Sequence, residues 1–227
     1  MDVLDMRGAW GKLDAKIYNL LVGRALTHIF DQMCDRFAPT DGLHPGMKLL
    51  DVGCGAGHLV TALGRRYPEL ALTGVDLSEE MILRARECAR GLPNVSVSVG
   101  DALALAFPDA SFDFVLSIAS IKHWPNRVAG MREIFRVLRP GGRVFVMEIH
   151  RNATQQVVMR FVQRWRFAVW PMPHLFAAHF RRFVASQGLT ADELDAFCCK
   201  AGFPVVKAET IEDYLSVVCQ CSKAAAS

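Results

Sequence analysis

Between Leu49 and Val60 the chain reads Leu-Leu-Asp-Val-Gly-Cys-Gly-Ala-Gly-His-Leu-Val. An apolar run ends on an acid, glycines stand at alternate positions 53, 55 and 57, and a helical apolar pattern starts at once. Few architectures accept that order. The run reads as a buried strand. The glycines read as a turn whose residues take positive φ and leave bare backbone for a ligand. The segment beyond reads as a helix whose first N–H groups face that ligand.

The remainder repeats the alternation. Strands are expected at 48–52, 70–76, 94–99, 112–117 and 143–149, and helices at 58–67, 78–90 and 126–138. Pro68, Gly91 and Arg139-Pro140-Gly141-Gly142 punctuate them. Ser78 is a good N-cap, with Glu79 and Glu80 where the helix dipole favours anions, and Asn126 caps the helix that runs to Leu138. Alternating strands and helices indicate an α/β protein with a mainly parallel sheet covered on both faces. Such sheets bind ligands at the carboxyl ends of their strands. Asp51, Asp76, Asp101 and the segment after Ser117 all fall there.

After residue 150 the pattern changes. An amphipathic stretch over 157–170 breaks at Pro171-Met172-Pro173, and a second helical stretch covers 174–186. A helix over 190–201 has a capping box in Thr190 and Glu193 and a stop at Gly202. Strands are expected at 205–210 and 214–219. Too few residues separate them for a parallel crossover, so they pair antiparallel. Ahead of the sheet, residues 9–37 read as helical, with Tyr18, Leu21, Val22, Ala25, Ile29 and Met33 on one stripe.

The glycines alone fit several ligands, and a simple tight turn would use them too. No Gly-Lys-Ser/Thr follows, so this is not a phosphate loop of the Walker kind. The third glycine comes one residue early for the dinucleotide fingerprint. Three acids narrow the choice. Asp76, closing the second strand, can accept both hydroxyls of a ribose. Asp101, closing the third, can accept from an adenine amine, with Leu77, Met81 and Ala102 against the ring. Asp51 can hold an amino-acid ammonium or orient the loop.

The segments LLDVGCGAGHL, LTGVDLSEEMI, GDALALAFPDASFDFVLS and REIFRVLRPGGRVFVMEI resemble, in order, the class I S-adenosylmethionine-dependent methyltransferases, and most of all the group containing the ubiquinone/menaquinone C-methyltransferases. The resemblance implies a Rossmann-like seven-stranded sheet of order 3-2-1-4-5-7-6 with strand 7 antiparallel. It implies S-adenosyl-L-methionine as cofactor, with Gly53, Gly55 and Gly57 around the methionine part, Asp76 on the ribose and Asp101 on the adenine. Cys54 and Ser117 fall in the same cofactor region. Tyr18 resembles the tyrosine of a family lid. The chain is then one methyltransferase domain over 1–227, with a helical lid at 1–46 and a helical cap at 150–188 between strands 5 and 6.

The methyl acceptor is less visible, because displacement at a sulfonium needs mainly orientation and exclusion of water. His123, after the fourth strand, has the pKa range of a general base for a phenol or hydroxyl. Packing of its loop is the competing role. Trp124, Trp165 and Arg166 are candidates for the substrate pocket, and Trp124 equally suits the core. The formal charge is only +3, yet residues 149–191 hold six arginines and no acid. That segment suits a solvated cap, a pocket for an anionic group, or contact with a membrane surface. A small hydrophobic or aromatic acceptor, quinone-like, lipid or secondary metabolite, is the expectation. An RNA methyltransferase and a catalytically silent cofactor-binding partner protein are the alternatives. Nucleic acid is not expected, for want of an RNA-binding module.

Composition sets the outer bounds. The chain has 227 residues, 52% of them hydrophobic, as a folded globule requires. No apolar run reaches the length of a membrane span, and the N-terminus lacks the apolar core of a signal peptide. A cytoplasmic monomer or homodimer is expected. None of the seven cysteines falls in a C-x₂-C pair, so they read as reduced thiols with no metal.

Overall fold

Leu49, Leu50 and Val52 are almost wholly buried, and they face two different cores. That is what a central parallel strand must do, since successive residues point to opposite faces. The computed structural model describes residues 44–163, 173–204, 206–211 and 215–225. Its strands are β1 (Lys48–Val52), β2 (Ala71–Asp76), β3 (Val95–Val99), β4 (Phe112–Ile118), β5 (Leu138–Ile149), β6 (Val206–Ile211) and β7 (Ser216–Ser222). Its helices are α1 (His58–Arg66), α2 (Glu79–Cys88), α3 (Arg127–Val137), α4 (Gln155–Gln163), α5 (Pro173–Phe183) and α6 (Ala191–Ala201).

The strands form one seven-stranded sheet in the order β3-β2-β1-β4-β5-β7-β6. β1 to β5 run parallel, and β7 pairs antiparallel with both β5 and β6. The expected architecture and strand order are therefore met. On one face Leu59, Val60 and Leu63 of α1 share a core with Val157, Val158 and Phe161 of α4 and Ala177 and Phe180 of α5. On the other, Met131 and Ile134 of α3 pack with Leu194, Cys198 and Ala201 of α6. The region expected as a cap is thus part of the main core on one side.

Local signals act as read. Ser78 accepts a hydrogen bond from Met81 N–H (3.3 Å), and Asn126 accepts from Ala129 N–H (3.0 Å). Thr190 and Glu193 form the capping box, and Gly202 ends α6 at φ 110°. β5 departs from expectation by starting at Leu138 rather than 143. The β4–β5 register shifts between Phe112 and Phe114, so the Pro-Gly-Gly run sits in an irregular first half of the strand. Gly141 N–H donates to the Lys223 carbonyl there (3.0 Å), which keeps the chain along the sheet. The expected N-terminal helix, with Trp10 and Tyr18, lies outside the described residues, as do Trp165 and Arg166.

Candidate functional site

β1 ends on Asp51, and the chain turns through the three glycines into α1. Each glycine answers a different need. At Gly53 (φ 80°) a Cβ would collide with the Ser120 side chain from the loop after β4. At Gly57 (φ 77°) it would come within 2.9 Å of the Ala85 Cβ on α2. At Gly55 (φ 53°) it would meet nothing within 4 Å. Two glycines therefore let elements close in, and the third leaves open space. Gly53 and Cys54 N–H both donate to the Val75 carbonyl (2.8 and 2.9 Å), tying the turn to β2.

Asp76 ends β2 facing that turn. Its Oδ2 accepts from Gly55 N–H and its Oδ1 from Ser78 N–H, each at 2.9 Å. Burial raises its pKa, and the two N–H groups hold it back. Asp51 is 2% exposed, and its carboxyl is pushed up to about 7, first by burial and then by the charge of Asp76. Cys54 lies between them, its thiol raised well above normal by burial and by both carboxylates. Among the described residues neither Asp51 nor Asp76 forms an ion pair. A buried and a half-buried acid beside an open glycine can accept hydrogen bonds from a positively charged ligand with hydroxyls to donate.

The adenine-side residues lie at the next strand end. Asp101 is exposed and accepts from Leu103 N–H (2.8 Å), while Gly100 N–H donates to the Asp76 carbonyl (3.0 Å). Met81 is buried, Ala102 is half-buried, and Leu77 is 57% exposed, a large apolar side chain beside a polar cleft. Ser117 is fully buried and donates to the Val52 carbonyl (3.0 Å), so its hydroxyl joins β4 to β1.

The loop after β4 carries His123 at the end of a 3₁₀ turn, Ile121–His123, and half-buried. Trp124 lies in the core against Gly130, which leaves the ring room by lacking a Cβ. Its indole N–H donates to Ser120 Oγ (3.0 Å), so the same serine fills the notch at Gly53 and holds Trp124. The sequence reading passed over three residues here: Ser120, Lys122 and Glu148. Glu148 is fully buried at the end of β5. It accepts from Lys122 N–H (3.1 Å), Lys122 Nζ (2.9 Å) and its neighbour Ile149 N–H (2.8 Å). Lys122 Nζ also donates to the Ala119 carbonyl (2.6 Å), across a backbone that is left-handed at Ala119 (φ 55°). The signal was present: an acid closing Val144-Phe-Val-Met is buried by its strand and requires a partner.

Residues 50–146 match the family described as methyltransferase domain. That stretch is what this chain shares with methyltransferase domains. It is 36% identical over 124 residues to the 2-methyl-6-phytyl-1,4-hydroquinone methyltransferase of Synechocystis, covering 55% of this chain and 39% of that protein. It is 33% identical over 137 residues to the demethylmenaquinone methyltransferase of Staphylococcus aureus, covering 60% of this chain and 57% of that protein. It thus spans well under two-thirds of either curated relative. A SAM-dependent methyltransferase from Aquifex aeolicus shares the fold at TM-score 0.67 and 20% identity, over 91% of this chain and 96% of that one. The phosphoethanolamine N-methyltransferase 2 of Haemonchus contortus, in complex with S-adenosyl-L-methionine, does so at 0.69 and 18%, over 98% and 60%. The fold of this chain is therefore the Rossmann-like one that these solved structures share.

Proposed function

We propose that this chain is a methyltransferase that takes its methyl group from S-adenosyl-L-methionine and delivers it to a small hydrophobic or aromatic acceptor of the quinol class. The observation that carries the first half is the buried Asp51 and half-buried Asp76 on either side of the open Gly55, neither in an ion pair among the described residues. A ligand that donates ribose hydroxyls to Asp76 and an ammonium near Asp51 supplies what both lack. Gly53, Gly55 and Gly57 with Cys54 pass around its methionine part. Asp101 takes the adenine amine, and Leu77, Met81 and Ala102 flank the ring. Tyr18, in a lid over 1–46, and Ser117 complete this reading.

The second half rests on what the curated relatives are named for and on the apolar character of the 150–188 cap. In the reaction the acceptor's electron pair attacks the methyl carbon in line with the sulfonium. The carbon–sulfur bond breaks onto sulfur, and the acceptor's proton departs. His123 is the candidate to receive it, and Trp165 and Arg166 of the cap are candidates to hold the acceptor. Trp124, packed on Gly130, supports that loop from below. The exposed Arg160, Arg181 and Arg182 suit the anionic surface of a bilayer in which such acceptors dissolve. No helix among the described residues is long and apolar enough to cross a membrane. We place the enzyme in the cytoplasm, meeting its acceptor from that side.

Calorimetry with S-adenosylhomocysteine tests the donor: binding is expected, and its absence in the full chain overturns the reading. Transfer of labelled methyl from S-adenosylmethionine to a reduced demethylated naphthoquinone tests the acceptor. Cofactor binding without transfer to any quinol would refute the acceptor class alone. A His123→Ala variant that kept full turnover would remove His123 as the base.

A further inference from the structure

Away from the cofactor cleft, three thiols meet between α6 and β7. Alternate strand residues share a face, so β7 presents Cys219 and Cys221 together, and α6 sets Cys198 against them. All three are buried, among Leu194, Ala201, Phe203 and Val217. Their Sγ atoms lie within 4.8 Å of one another, with Cys198 and Cys219 3.8 Å apart. The cysteines among the described residues are free thiols, not disulfides. Asp195, one turn earlier on α6, is fixed nearby by accepting from Ala208 N–H on β6 (2.7 Å).

We propose that Cys198, Cys219 and Cys221 form a three-sulfur site for a thiophilic d¹⁰ cation, Cu(I) or Zn(II), which would pin α6 to β7. Two thiolates about 2.3 Å from one ion stand about 3.8 Å apart at a tetrahedral angle and about 4.0 Å at a trigonal one. The Cys198–Cys219 separation already matches, and the third sulfur needs to close by less than about 1 Å on that geometry. Soft thiolates select this class of ion over hard, oxygen-seeking ones. The dry surroundings favour an ion content with three sulfurs, which Cu(I) is, whereas Zn(II) would bring in a water as fourth ligand. Loading displaces up to three thiol protons to solvent and moves no electrons.

Buried cysteines also serve as plain core filler, and the experiment separates the two roles. The reduced, chelator-treated full chain is titrated anaerobically with Cu(I), with Zn(II), and with Cd(II) as a spectroscopic probe. Bound metal per chain and the ultraviolet thiolate-to-metal band are read. One retained ion per chain is expected, with Cu(I) the tighter. Cys219→Ser and Cys221→Ala should each weaken retention by roughly tenfold or more, while Cys88→Ser and Cys199→Ser change nothing. Alkylation followed by mass spectrometry keeps the result readable if a variant folds poorly. In the unmutated chain, metal should protect these three cysteines and leave Cys88 and Cys199 reactive. No retained ion, or retention and protection that do not depend on these cysteines, would overturn the proposal.

Discussion

Glu148 and Asp51 are both carboxylates sealed at the ends of neighbouring parts of one sheet, and they are treated differently. Glu148 has Lys122 Nζ at 2.9 Å and two backbone N–H groups, all from within the chain. Asp51 has another acid, Asp76, as its charged neighbour and forms no ion pair among the described residues. The first arrangement is complete and holds a loop in place. The second has no counter-charge among the described residues, and burial with the Asp76 charge makes the ionised Asp51 costly there. A buried acid with its own cation therefore marks architecture, and a buried acid without one marks where a cationic ligand goes.

The contrast breaks most visibly at Glu148. Glu148→Ala strands a Lys122 side chain that is only 8% exposed, and should cost about 3–5 kcal/mol in denaturant unfolding. Replacing Lys122 and Glu148 together by Met should recover most of that. A single-variant cost well below this range would mean the pair is solvated and the comparison false. Next is Asp76→Ala, which removes the carboxylate proposed to accept from the ribose hydroxyls. It should weaken S-adenosylhomocysteine binding on the order of 100-fold by calorimetry.

Asp51 gives the sharpest test, because the sign differs between stability and binding. Its folded pKa of about 7 lies above the ordinary carboxylate value, so the folded state holds the proton longer than the unfolded one. The stability this contributes is full below the unfolded value, declines as pH rises toward 7, and is gone above it. Asp51→Asn should thus raise the melting temperature of the ligand-free protein at pH 8 and lose that advantage near pH 5. Binding runs the other way. A cationic cofactor needs the ionised carboxylate, so affinity should climb through pH 7 in the unmutated chain and stay flat in Asp51→Asn. Identical pH profiles for the two would show that Asp51 does not face the ligand. The smallest effect expected is Thr190→Ala, about 1 kcal/mol for loss of the α6 cap.

The glycine turn and its flanking acids were legible in the sequence because their parts announce themselves locally. A strand ending in an acid, glycines at 53, 55 and 57, and acids at 76 and 101 each sit in a short pattern with one geometric meaning. Capping at Ser78, Asn126 and Thr190 was legible for the same reason, since the N–H groups satisfied lie within three residues. The pairings after β4 are assembled from distant parts. Lys122 meets Glu148 across 26 residues, and Arg151 meets Glu193 across 42. Neither pairing follows from spacing. The meeting of Cys198 with Cys219 and Cys221 was hidden likewise, because only the α6–β7 packing brings them together. The early start of β5 was missed because Pro-Gly-Gly reads as a turn, while here it is absorbed as a bulge inside a strand.

The notch at Gly53 has a consequence for how such a protein can diversify. The side chain that Gly53 lacks is in effect supplied by Ser120, from the opposite half. A chimera that imports a new helical cap beyond residue 150 leaves this seam untouched and should still recognise its donor. A chimera joined within 117–124 must bring a residue small enough to seat against the glycine turn. The point at which a new C-terminal part can be joined without disturbing the glycine turn is therefore set by one missing methyl-sized volume, and it falls after the fifth strand.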